Sequence, residues 1–124
     1  MENLKCWARL KTPVNVPLRL GGWYRVTSHT LLEAVVLVEG RGAIKAPRAW
    51  LDIRTDHPAE WTVVRKRFVG PRTPVACRNG YIVCPDCHER VALPPLRRKK
   101  HVCPRCGGDF AIAWDEGYLD GVLA

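Results

Sequence analysis

Long apolar runs are absent from this chain of 124 residues. The longest aliphatic stretch covers residues 34–38, whereas a helix that spans a bilayer needs about 20 apolar residues. The first nine residues also lack the apolar segment that a secretory signal carries before its cleavage site. We therefore expect a protein that has no membrane partner, is not exported by a cleaved signal, and is cytoplasmic.

Groups that commonly carry catalysis are scarce. Ser28 is the only serine, and His29 and His57 lie in predicted loops with no nucleophile or carboxylate pair beside them. No glycine motif for phosphate binding occurs, and the glycines at 21–22 and 40–42 are typical of hairpin turns. The sequence therefore predicts a protein that is not an enzyme and has no small-molecule substrate.

Cysteine is nearly absent from the first half of the chain, which contains Cys6 alone. The other five cysteines lie within residues 77–106. In a reducing compartment, cysteines paired as C-x-x-C are better explained by a metal ion than by disulfides. A metal would therefore stabilise the second half only, and Cys6 is predicted to be a small buried apolar residue.

Four cysteines form two C-x-x-C pairs, Cys84 with Cys87 and Cys103 with Cys106, separated by fifteen residues. This spacing is typical of zinc sites, because two intervening residues allow a tight turn that directs both thiolates at one metal. A proline after the first cysteine of each pair presets that turn, and two glycines after the second pair can adopt positive φ. The pattern predicts one structural Zn²⁺ bound by these four residues.

Apolar segments flank both pairs, and the last of them, residues 110–114, alternates large and small side chains as a strand would. Residues 81–114 thereby resemble the zinc-ribbon family. The resemblance implies a small antiparallel sheet that carries two metal-binding turns. His88 departs from the family pattern, because zinc ribbons commonly have glycine after the second cysteine of each pair.

Alternatives exist for the metal that binds at this site and for the residues that complete its coordination. Rubredoxin-like iron carriers also use two C-x-x-C turns, and residues 103–107 look like theirs. The short, basic insert between the pairs favours zinc over iron. Since four thiolates close a tetrahedron, His88 and His101 are expected to lie beside the metal or at the surface rather than to bind it. Cys77 is predicted to be a spare thiol or, alternatively, a replacement ligand. A closed site has no position for a catalytic water, in agreement with a role other than catalysis.

The first half of the chain is rich in β-branched and aromatic residues interrupted by turn formers. Apolar patterns and turn spacing predict short strands at residues 23–26, 33–38, 43–46, 51–54 and 61–66. A helix over residues 31–39 is an alternative for the second strand, because Thr30 and Glu33 match a capping box. Three valines within residues 35–38 favour the strand, since β-branched side chains lose rotamer freedom in a helix.

Residues 42–53 resemble the end of an SH3-like barrel, where a strand meets a Pro-x-x-aromatic turn and resumes as the closing strand. The resemblance implies a five-stranded barrel of the sort found in translation, transcription and signalling proteins; an OB-type barrel or a β-meander is the alternative. A Gly-Pro step marks a loop at Gly70. We predict a mostly β protein, with a small SH3-like antiparallel β-barrel at residues 1–69, a linker at 70–76 and a C-terminal zinc-ribbon domain with an acidic tail at 77–124.

Charge is unevenly distributed along the chain, which carries a net charge of +8. Residues 61–106 contain eleven basic and two acidic residues, whereas the chain after Cys106 contains four acids and no base. This basic charge offsets an anionic thiolate cluster, and it also suits an acidic partner such as nucleic acid. The cations of interest form one run at Arg97, Arg98, Lys99 and Lys100 and a second group at Arg65, Lys66, Arg67 and Arg72.

The insert between the cysteine pairs predicts the function. Two prolines stiffen residues 94–100, so less entropy is lost when this loop meets a partner. We expect the basic residues to bind nucleic acid or a ribonucleoprotein, as part of a transcription or translation assembly. A protein-binding adaptor is the alternative, because five tryptophans suggest an aromatic groove on the barrel. The acidic tail would dock on a basic partner or fold back on the basic loop.

Overall fold

The protein, described over residues 5–120 by a computed structural model, divides into two units, Met1–Pro58 and Ala59–Ala124. Each unit contains its own five-stranded sheet, and the helical parts are short 3₁₀ turns. The predicted mostly β class is confirmed. Residues 1–4 and 121–124, at the two ends of the predicted domains, lie outside the described part. Over residues 5–120, no helix has the length and apolar content that crossing a membrane requires.

The first unit is an antiparallel sheet that curls into a half-barrel. Its strands are β1 Cys6–Leu10, β2 Tyr24–His29, β3 Glu33–Val38, β4 Gly42–Pro47 and β5 Leu51–Arg54. They are arranged in the order β4-β3-β2-β1-β5. Alternate residues of these strands, among them Ala8, Val26 and Val36, form its apolar core, which includes Cys6 as predicted.

The closing strand is placed by the turn that the sequence indicated. β4 leads through a 3₁₀ turn, Arg48–Trp50, directly into β5, which pairs with β1 rather than with β4. The backbone carbonyl of Trp50 accepts a hydrogen bond from the N–H of Lys11, 2.8 Å away, so the turn is also tied to the end of β1. A strand therefore meets the predicted turn and resumes as a closing strand, whereas the sheet as a whole curls into a half-barrel.

The hairpin between β2 and β3 explains the ambiguous capping-box pattern. The hydroxyl of Thr30 accepts hydrogen bonds from the N–H groups of Leu32 and Glu33, at 3.3 and 3.2 Å. The backbone N–H of Thr30 donates to the carbonyl of Glu33 at 2.8 Å, which closes a hairpin turn instead of opening a helix. The threonine thus satisfies the same donors in either structure, and β3 is the strand that the valines favoured.

The second unit is built around one central strand. Its strands are β6 Glu60–Arg65, β7 Gly80–Val83, β8 Arg90–Ala92, β9 Lys100–Val102 and β10 Asp109–Ile112, with 3₁₀ turns at Lys66–Phe68 and Val75–Cys77. They are arranged in the order β8-β7-β6-β10-β9. β6 pairs antiparallel with β7 and parallel with β10, and each of these partners forms a hairpin with its outer neighbour.

The structure corrects the predicted domain boundaries. The strand predicted at residues 61–66 is present as Glu60–Arg65, but β6 lies in the second sheet and not in the barrel, so the chain divides after Pro58 rather than near Gly70. Residues 70–76 are consequently a connection inside the second unit, between β6 and β7, rather than a linker between domains. A strand was predicted at this position, but strand periodicity does not identify the partner with which a strand pairs.

Candidate metal centre

The four candidate ligands lie at the tips of two β-hairpins. Residues 84–89 connect β7 to β8, and residues 103–108 connect β9 to β10. In both tips the N–H of the first cysteine donates to the carbonyl five residues later, at 2.9 Å for Cys84 and 2.8 Å for Cys103. In both, the carbonyl of that cysteine accepts the N–H four residues on, at 3.3 and 2.9 Å respectively. The two turns therefore have the same backbone hydrogen bonding.

The residue after the second cysteine of each pair has a positive φ. Gly107 adopts φ 77°, and His88 adopts φ 65° at the equivalent position of the other turn. This φ lies in the left-handed region, which glycine enters without the steric penalty that a Cβ introduces. His88, the departure noted in the sequence, therefore keeps the geometry of the turn and does not distort it.

The sulfur atoms of Cys84, Cys87, Cys103 and Cys106 all lie within 4.8 Å of one another. Sγ of Cys84 is 3.7 Å from that of Cys106, and Sγ of Cys87 is 3.5 Å from that of Cys103. Four thiolates at about 2.3 Å from one tetrahedral metal are about 3.8 Å apart, whereas a disulfide would bring two sulfurs to about 2.0 Å. The distances fit one metal ion and not two disulfides.

The two turns bury the metal site from one side. Cys84 and Cys103 are 0% and 1% exposed and belong to the apolar core of the second unit, together with Trp61, Ile82 and Ile112. Their partners, Cys87 and Cys106, are half-buried and exposed. The first cysteine of each pair would thus connect a bound metal to the core, whereas the second is more exposed.

The surroundings raise the pKa of two of the four thiols and lower that of a third. Burial raises the pKa of the Cys84 thiol strongly, although the backbone N–H groups of Cys87 and Asp86 act in the opposite direction. The N–H of Asp86 lies 3.4 Å from Sγ of Cys84. Burial also raises the pKa of Cys87. At Cys103 burial is outweighed by the backbone N–H groups of Cys106 and Arg105 and by the neighbouring sulfurs, so its pKa is lowered.

The other cysteines and histidines lie outside this cluster. Cys77 is buried in the 3₁₀ turn before β7, and Cys6 is buried in the first unit. The ring of His101 packs edge-on against Trp61, with 5.3 Å between ring centroids, and its Nδ1 lies 3.3 Å from the guanidinium of Arg98. Within residues 5–120, the clustered potential ligands are the four predicted cysteines, without Cys77 or a histidine.

The predicted basic loop is exposed at Arg97, Arg98, Lys99 and Lys100. Its backbone is held by β10 and the residues that follow. The carbonyl of Lys99 accepts the N–H of Ile112 at 2.9 Å, and the carbonyl of Arg98 accepts the indole N–H of Trp114 at 2.7 Å. The loop therefore has a defined course over the end of the sheet.

The structure brings Arg65, from the second group of basic residues, to Trp114, the residue that also binds the basic loop. The guanidinium of Arg65 donates to the backbone carbonyl of Trp114 at 3.1 Å, so Arg65 and Arg98 bond to the same residue. Lys66 and Arg67 follow in the 3₁₀ turn and are exposed, and Arg72 is exposed in the next turn. No contact described for Arg72 connects it with the basic loop.

The sequence analysis did not identify Trp114 as the residue that links these groups. The alternation in residues 110–114 placed it on the same strand face as Phe110 and Ile112, and all three pack against the core. Its neighbours in the tail form ion pairs with the cations: Asp115 with Arg97, and Asp120 with Arg67. The tail therefore folds back on the basic residues, one of the two arrangements considered for it.

The tryptophans offer limited support for a peptide groove. Trp23 and Trp61 are 4% and 0% exposed, and Trp7, Trp50 and Trp114 are half-buried.

No family model, curated protein or solved structure matches this chain. The site is thus defined by its own geometry: four cysteines positioned to bind one metal ion, at the tips of two hairpins of a mostly β protein.

Proposed function

We propose that this protein binds nucleic acid, alone or in a ribonucleoprotein, through a basic loop whose shape depends on one structural Zn²⁺ bound in a zinc-ribbon-like unit. The observation that carries the proposal is the placement of the loop. Residues 97–100 present four exposed cations on a backbone fixed to β10 and Trp114, in the insert between the two metal-binding turns. A fixed cationic loop loses little entropy when it meets a row of phosphates.

Zinc is the metal that we assign to the four cysteines. Four thiolates in a closed tetrahedron suit Zn²⁺, and they suit iron of the rubredoxin type as the alternative. The basic residues around the site favour zinc, since they match a structural role beside an acidic partner rather than a role in electron transfer. Elemental analysis of chelator-free protein would find one zinc per chain and a colourless solution. A red protein with visible charge-transfer bands would reject zinc.

We propose a binding role rather than an enzymatic one, and the donor set supports this. Four protein ligands leave no coordination position for water or substrate, so the metal would act by fixing the two turns. The burial of Cys84 and Cys103 in the core of the second unit connects that fixation to the fold. We therefore propose a protein of the reducing cytoplasm, in which zinc shapes the binding surface and takes no part in a reaction.

The test is binding of fluorescently labelled RNA and DNA at low and moderate salt. Replacement of the four cations of the basic loop with alanine should abolish binding while zinc content stays at one per chain. A matched control replaces four exposed cations of the first unit: Lys5, Lys11, Arg25 and Arg41. The control removes the same net charge and should bind with at most a modest loss. An unmodified protein that binds neither RNA nor DNA at low salt would overturn the proposal.

A further inference from the structure

Three arginines contact Trp114, two through their guanidinium groups and Arg98 through its backbone carbonyl. Its indole N–H is 2.7 Å from the carbonyl of Arg98, and its own carbonyl is 3.1 Å from the guanidinium of Arg65. The guanidinium of Arg97 lies 5.4 Å from the centroid of the indole ring. We define the Trp114 surface as these four residues. Within it, one hydrogen bond holds the indole ring and a second holds the backbone of Trp114, and the guanidinium groups of Arg65 and Arg97 lie beside this residue.

The position of the ring is fixed by the core as well. Phe110, Ile112 and Trp114 pack against the cluster that contains the buried ligands Cys84 and Cys103. Ile112 is buried, whereas Trp114 is half-buried and the hydrogen bond of its indole is exposed. One part of the ring therefore packs against the core of the second unit, and the guanidinium of Arg97 lies over the ring on its accessible side. A ring held in this way needs little further ordering before it stacks with a ligand.

We propose that the Trp114 surface binds single-stranded nucleic acid, with a base stacked on Trp114 and the adjoining phosphates on Arg65, Arg97 and Arg98. This inference rests on the proposed function and names the class of nucleic acid. Stacking on a protein side chain requires an unpaired base with an accessible face, which a single strand offers and an intact duplex does not. Backbone contacts alone would need cations but no tryptophan among them.

The acidic tail does not block such a ligand. Asp115 forms the ion pair with Arg97 at 3.4 Å, but its side chain is 95% exposed and that of Arg97 is 62% exposed. Ion pairs between exposed side chains contribute little, since water and salt screen them. A phosphate that carries the same sign of charge can therefore replace the carboxylate on Arg97.

The experiment compares a 15-nucleotide oligothymidine or oligouridine with a duplex of equal length, by fluorescence anisotropy on the zinc-loaded full chain. We expect the single strand to bind more tightly. Trp114→Leu keeps an apolar side chain and removes the ring, so it should weaken single-strand binding by about 5- to 150-fold, as loss of one stacked base does. Trp114→Phe keeps a ring and should retain most of the affinity. Neither variant should change the slope of affinity against salt, because the arginines remain.

A second measurement avoids substitution. Irradiation of the unmodified protein with a single strand that contains 5-bromouracil should crosslink at residue 114, which mass spectrometry of the digested complex would locate. Equal affinity for duplex and single strand, unchanged binding by Trp114→Leu, or a crosslink that excludes residue 114 would overturn the inference and leave the proposed function standing. Failure of the unmodified protein to bind either nucleic acid would overturn both.

Discussion

The indole N–H of Trp61 donates a hydrogen bond of 2.9 Å to the backbone carbonyl of His101, forty residues later in the chain. Trp61 lies in the central strand β6, and His101 lies in the edge strand β9, with β10 between them. The two rings also pack edge-on. This contact ties the hairpin that carries Cys103 and Cys106 to the centre of the second unit.

Replacement of Trp61 by phenylalanine should therefore destabilise the metal-loaded second unit. The side chain is fully buried, so the variant leaves the carbonyl of His101 without its donor and a gap beside it. A buried polar group that loses its partner costs about 1–3 kcal/mol. Thermal unfolding of the zinc-loaded protein would measure the effect. Trp50→Phe, at a half-buried position of the first unit, is the control, and an equal loss in both variants would contradict the prediction.

Cysteine substitutions separate ligands from bystanders. Cys106 is exposed, so Cys106→Ser changes little packing and its effect reports the loss of a metal ligand. We expect this variant to release zinc to a chelator at concentrations that leave the unmodified protein loaded. Cys77→Ser should keep one zinc per chain, because Cys77 is buried away from the cluster. Loss of zinc from Cys77→Ser, with retention in Cys106→Ser, would assign the ligands differently.

Gly107 provides a test of the turn geometry without steric complication. Its φ is positive, and a Cβ added there would meet no atom within 4 Å. Gly107→Ala should thus cost about 1–2 kcal/mol through backbone strain alone, seen as a lower unfolding temperature of the zinc-loaded protein. Gly70 also has open space around it but no positive φ. Gly70→Ala should have no such cost, and equal effects of the two changes would show that φ is not the cause.

The metal site was predictable from the sequence because its geometry is local. Two residues between cysteines fix each turn, and the proline and glycine positions around them encode the backbone conformation. The same holds for the turn at Arg48–Trp50, where proline precedes a closing strand. In each case the determinants lie within a few neighbouring residues.

The pairing partners of the strands were harder to predict from the sequence. β6 has the pattern of any short apolar strand, and nothing in residues 60–65 indicates that it pairs in parallel with β10, whose paired residues lie 51 positions later. β1 and β8 were missed: β8 has only three residues, and in β1 the apolar Trp7 obscures the alternation of Cys6, Ala8 and Leu10. The role of Trp114 depends on its hydrogen bonds with Arg65 and Arg98, which only the folded chain brings together.

The corrected boundary predicts which fragment folds. A fragment of residues 59–124 contains β6 and should bind one zinc and unfold cooperatively. A fragment of residues 70–124, which begins at the boundary that the sequence suggested, lacks β6 and the core side chains Trp61 and Val63. It leaves β7 and β10 without their common partner, so we expect weak metal binding and poor amide protection in hydrogen exchange. Equal protection in the two fragments would show that β6 is dispensable.

The folded-back tail predicts that two carboxylates compete with nucleic acid for the arginines. Asp115 pairs with Arg97, and Asp120 pairs with Arg67. The double variant Asp115→Asn and Asp120→Asn should bind nucleic acid more tightly at low salt, by up to about fivefold for each exposed pair removed. The control changes Asp56 and Asp109, which are exposed, to asparagine and so alters the net charge equally. Because salt screens exposed pairs, the gain over this control should vanish as salt rises; an equal gain in both variants would attribute the effect to net charge alone.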